Sequence, residues 1–114
     1  MSKKHPGPET AQRQYFDKLT DKLVAANDDV TAGKMMSSPG IKVNGKVFAF
    51  FAPSGGMVFK LGKGFDPKAS GYPEMTAFNP FKNKGPLAGW FESPFEKKRR
   101  WEKLAKTALE VVRS

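Results

Sequence analysis

The dipeptide Asn44-Gly45, set between Ile41-Lys42-Val43 and the apolar run Lys46 to Ala52, constrains this chain more than any other feature. Asparagine and glycine are the residues that best tolerate the positive φ angles of a two-residue hairpin turn, so the pattern predicts two antiparallel strands. Pro53-Ser54-Gly55-Gly56 then marks a second turn, and residues 57–61 a further strand. With a short strand over 34–37 this makes three or four antiparallel strands in meander order, to which 75–78 and 88–92 would each add a short strand. By simple alternation, Phe48 and Phe50 point to one face and Val47, Ala49 and Phe51 to the other. Both faces are therefore apolar, whereas a sheet covered on one side alternates in polarity. The second face must also be covered, either by the 62–86 excursion or by another subunit.

Helices flank these strands. Tyr15, Leu19, Leu23 and Ala26 recur at helical spacing, with Phe16 widening the stripe, and predict a helix over 9–27. Ser93-Pro94-Phe95-Glu96 has the pattern of a capping box with proline at the first helical position. Trp101, Leu104, Ala105, Ala108 and Val112 hold one face of the helix that follows. Asp66-Pro67-Lys68-Ala69-Ser70-Gly71 reads as a single helical turn, with Asp66 as cap and Gly71 as stop. The expected fold is α+β in two layers, one antiparallel meander sheet with N- and C-terminal helices packed on it. Residues 1–8 read as a flexible basic tail and 9–114 as one domain, since 114 residues suffice for one core. Trp101, Leu19 and Phe48 or Phe50 should share that core.

Several chemistries are set aside by residue type. The chain has no cysteine, so disulfides, thiolate nucleophiles and cysteine-ligated zinc are excluded. Its one histidine, His5, stands in the tail, which argues against histidine triads and histidine metal sites. Asp28-Asp29 lies beside a helix end and suits a turn. Gly40 to Lys46 has the spacing of a phosphate-binding loop, but Val47 stands where a Ser or Thr would hold magnesium, and the segment reads as a hairpin. Lys46-Val47-Phe48-Ala49-Phe50 partly matches the aromatic strand of an RNA-recognition motif, without its glycine or its closing aromatic. No catalytic residue, metal site or cofactor is expected, and the chain reads as a non-enzyme. The run 47–52 is too short to span a bilayer, and the polar residues 1–8 show no secretory pattern, so a cytoplasmic setting without membrane is expected.

The net charge of +9 favours an acidic partner, nucleic acid first and then an anionic membrane surface or acidic protein, or else serves solubility alone. Lys97-Lys98-Arg99-Arg100 begins in the second turn of the last helix, where cations oppose the macrodipole, so helix stability does not explain it. Arg99, Lys103 and Lys106 fall opposite Trp101 and Leu104. Glu96 and Glu102 stand four residues before Arg100 and Lys106 and can pair with them. The run is either a solvated face or a strip facing phosphates, which Lys82 and Lys84 would extend. The alternative to nucleic-acid binding is a homodimeric protein-interaction module, with Val47 and Phe51 at the interface.

Lys34-Met35-Met36-Ser37-Ser38-Pro39-Gly40-Ile41-Lys42-Val43-Asn44-Gly45-Lys46-Val47-Phe48-Ala49 resembles the opening of the TfoX/Sxy N-terminal domain family. Residues 57–61 resemble its next strand, and Trp101 with Ala105 its closing helix. Residues 86–94 are similar to the approach to the last helix in the related YjbR-like domains. The resemblance implies a sheet with helices packed on it and a setting in transcriptional regulation or DNA association. It implies no catalytic residues.

Overall fold

The hairpin turn forms as its two residues demand: in the computed structural model, which describes residues 10–35, 37–79 and 87–113, Asn44 has φ 52° and Gly45 φ 82°. It joins β2 (Ser38–Val43) to β3 (Lys46–Phe51). β1 (Val30–Met35) pairs outside β2, and β4 (Met57–Lys60) pairs with β3. The expected strand over 34–37 is thus corrected. It starts at Val30, whose side chain is buried, and it ends before Ser37, which turns with φ 72°. The meander holds for four strands. β6 (Trp90–Ser93) then returns beside β4, and β5 (Thr76–Ala77) pairs outside β6, giving an antiparallel order β1-β2-β3-β4-β6-β5.

Alternation fails at one place in β3. Ile41 is opposite Ala49, yet Lys42 is opposite Val47, so Phe48 is an extra residue in the ladder. Such a bulge turns the strand by one side-chain position. Phe48 therefore joins Ala49 and Phe51 under the helices, while Val47 lies with Phe50 on the other face. The expected pairing of Phe48 with Phe50 is corrected accordingly.

α1 (Ala11–Ala26) begins after Thr10, whose Oγ1 accepts a hydrogen bond from the Arg13 N–H at 3.2 Å. Phe16, Leu19, Thr20 and Leu23 face the core, and Ala26, expected on that face, is exposed. α2 (Trp101–Arg113) buries Trp101, Leu104, Ala105, Ala108 and Leu109. These residues form one cluster with Ile41, Phe48, Phe51, Met57 and Phe59, so Trp101, Leu19 and Phe48 share a core as expected. The fold is α+β, an open six-stranded antiparallel sheet with both terminal helices packed on it. On the opposite face Phe50, Ala52, Val58 and Trp90 are buried with Phe78, and Leu87 packs against them. Phe78 and Leu87 of this chain thus cover part of that second face.

The capping box is not formed. Ser93 is the last residue of β6, opposite Met57, fully buried, and its Oγ has no partner among the described residues. A 3-10 segment, Phe95–Arg100, follows Pro94 without a side-chain cap and is interrupted at Lys97 (φ −107°, ψ 29°) before α2 starts. At the far end Arg113 ties α2 to the α1–β1 connection, its guanidinium donating to both carboxylate oxygens of Asp29 at 2.9 Å.

Candidate nucleic-acid interface

Because Phe95–Arg100 winds as a 3-10 segment, the four consecutive cations do not ride on α2 but lead into it. Their environments separate them into two groups. Lys98 folds back over aromatic rings, its ammonium 4.6 Å from the Phe95 centroid and 5.4 Å from that of Tyr15. Arg100 reaches across to the 66–72 region. Its guanidinium donates to the Gly71 carbonyl at 2.6 Å and to Glu74 at 3.2 Å, and lies 5.2 Å from the Tyr72 ring centroid. Glu96, expected to pair with Arg100, is replaced in that role by Glu74. Lys106 pairs with Glu102 at 3.2 Å as expected, and Lys22 of α1 approaches the same carboxylate at 2.9 Å. Hydrogen bonds from Lys22 and then Lys106 hold the Glu102 carboxyl below the usual range.

Lys97, Arg99 and Lys103 are the other group. All three are exposed, and none of their side chains has a partner among the described residues. Cations at the entry to a helix, as Lys97 and Arg99 are, or in its first turn, as Lys103 is, gain nothing from its dipole. The strip expected along Arg99, Lys103 and Lys106 is thus shifted: its free charges are Lys97, Arg99 and Lys103. Lys82 and Lys84 lie outside the described residues.

Ser70, Gly71, Tyr72, Arg99, Arg100 and Lys103 line one cleft of about 340 Å³. The 66–71 turn that forms its wall is built as read from its residues. The Asp66 carboxylate accepts from the Lys68 N–H at 3.1 Å, the Asp66 carbonyl accepts from the Ser70 N–H at 2.9 Å, and Gly71 has φ 90°. No pattern in the sequence linked this turn to residues 99–103, since the connecting contact is the Arg100 fork. On the other side of that fork a second cleft, about 420 Å³, contains Glu74, Glu92 and Glu96, with the Ser54 hydroxyl donating to Glu92. Among the described residues no group of acids and histidines is placed to hold a metal ion, and no helix is long and apolar enough to cross a membrane.

The residues expected at a subunit interface are placed otherwise. Phe51 is wholly buried, its ring 5.3 Å from that of Phe16 under α1, and so presents no surface to another chain. Val47 is half-buried on the opposite face beside the Phe50 cluster. Comparison of the chain with family models, with curated proteins and with solved structures gave no match.

Proposed function

We propose that this domain is a non-enzymatic binding module that meets the backbone of nucleic acid, DNA first, with the edge formed by Lys97, Arg99 and Lys103. One observation carries the reading. Within a short stretch holding six cations, Lys98, Arg100 and Lys106 are engaged inside the chain, and these three are left exposed and unpaired among the described residues. Without these three the net charge of +9 would still be +6, within the magnitude of about 2–8 that keeps a small domain soluble, and neighbouring exposed cations are what phosphate contacts require. The resemblance of residues 34–49 and 57–61 to the TfoX/Sxy N-terminal domain supports the same direction, a role in transcriptional regulation.

The rival, a dimer closed by an apolar sheet face, has less support. Phe50, Val58 and Trp90 of one sheet face and Phe48 and Phe51 of the other are buried, and the exposed large apolar residues among those described are Val24 on α1 and Val111 on α2. The test is binding of labelled duplexes of several sequences, followed by fluorescence anisotropy at low salt, to wild type and to the Lys97→Gln/Arg99→Gln/Lys103→Gln variant. The proposal predicts weaker binding by the variant to every duplex with an unchanged circular dichroism spectrum. Equal binding by both proteins, or none by wild type, would overturn it.

A further inference from the structure

Arg99, at the end of the 3-10 segment, and Lys103, in the first turn of α2, line one cleft, both exposed and with no side-chain partner among the described residues. Two like charges on one cleft without such a partner favour an anion from outside. Opposite them, across the same cleft, is Ser70, exposed and with a hydroxyl that has no partner among the described residues. We infer that this cleft is a phosphate seat, in which Arg99 and Lys103 supply the charge, the Ser70 hydroxyl donates a hydrogen bond, and Arg100 acts as the positioning residue that fixes the wall.

Three features build the seat. Ser70 is held in place from both sides: its own N–H and that of Tyr72 are bonded back to Asp66 and Pro67, the latter at 2.7 Å. Arg100 then locks the turn to the head of α2 through Gly71, Glu74 and the face of Tyr72. Its Nη1 makes the contacts to Gly71 and Glu74, which keeps the two walls at a set separation and neutralises Glu74. Glu74 itself belongs to the acidic cleft on the far side, so no carboxylate lines the seat. The volume of about 340 Å³ lies within the range of small-ligand sites, about 300–1,000 Å³.

The natural occupant, a phosphodiester of bound DNA, rests on the function proposed above; the seat itself does not. The experiment uses two probes, inorganic phosphate and a short duplex, and reads amide shifts of Ser70 and Gly71 by heteronuclear NMR together with duplex affinity. Both probes should move these amides. Ser70→Ala should weaken duplex binding about fivefold, the worth of one hydrogen bond, without changing its salt dependence. Arg99→Gln with Lys103→Gln should make the slope of log K against log salt shallower by roughly 1 per contact. Arg100→Lys, which keeps the charge but loses the fork, should abolish the phosphate-induced shift at Ser70 while leaving the melting temperature unchanged.

Failure of the seat and failure of the DNA reading give different results. Phosphate moving Ser70 and Gly71 in a protein that ignores DNA would keep the seat and remove its proposed occupant. Duplex binding weakened by Lys97→Gln but untouched by Ser70→Ala and Arg100→Lys would keep the strip and overturn the seat. Silence of Ser70 and Gly71 to both probes would also overturn it.

Discussion

Replacing Trp101 by alanine removes the largest side chain that is wholly enclosed by the core. Its ring meets Tyr15 and Phe95 edge-on, at centroid distances of 5.6 and 5.9 Å. Truncation of a buried Trp costs about 3–5 kcal/mol through lost transfer energy and the cavity left behind. An opposing contribution acts at this position, because the indole Nε1–H is buried with no partner among the described residues. An unpaired buried donor costs about 1–3 kcal/mol in the native state, and the alanine variant is relieved of it. The expected loss is therefore at the low end, about 3 kcal/mol, or a fall of about 10–15 °C in melting temperature for a domain of this size. Trp101→Phe keeps most of the ring packing and also removes the unpaired N–H, so its cost should stay below about 1 kcal/mol. Urea unfolding with an unchanged m-value gives both numbers. A loss under about 1 kcal/mol for Trp101→Ala would refute the core placement, since an exposed site costs little. A loss of several kcal/mol for Trp101→Phe would refute the reasoning about the N–H.

Phe51→Ser should destabilise the monomer by about 3 kcal/mol or more, and its melting curve should not vary with protein concentration. Gly56→Ala should destabilise, because a Cβ there would stand 2.5 Å from the Ser93 carbonyl oxygen; a melting temperature equal to wild type would contradict that close approach. The hydrogen bonds from Arg113 hold the Asp29 carboxyl below its ordinary value. Its stabilisation is thus fully present above the ordinary Asp pKa of about 3.9 and is lost as pH falls through the lowered value in the folded state. Arg113→Gln should consequently lower the urea midpoint at pH 7, with the difference from wild type shrinking below about pH 4.

The parts of the fold that were legible in the sequence are those set by local chemistry. Asn44-Gly45 specified its own turn, the spacing of Phe16, Leu19 and Leu23 specified the buried face of α1, and Asp66 with Gly71 bounded the turn between them. The bulge at Phe48 was not legible, because the extra residue exists only relative to Ile41 and Lys42 on the neighbouring strand. That one shift reversed the face assigned to Phe48 and Val47. Ser93 carried a capping pattern, but pairing with β4 drew it into β6, and the tertiary hydrogen-bond ladder prevailed over the local signal. The basic run was legible as charge, though not in its division. Which cations are free depends on Glu74, Glu102, Tyr15 and Tyr72, three of them 26 or more residues from the cation they engage. Ser70 carried no signal at all, since its place beside Arg99 and Lys103 follows from the Arg100 contact across the fold.

Salt dependence of duplex binding tests the central claim most directly. If Lys97, Arg99 and Lys103 each neutralise one phosphate of B-DNA, the slope of log K against log salt should be about −2.7 or steeper for wild type. Replacing all three with glutamine should remove about 2.7 from that slope while the helices remain docked. A slope near zero for wild type, or the same slope in the triple variant, would contradict the assignment and return these three cations to the role of a solvated edge.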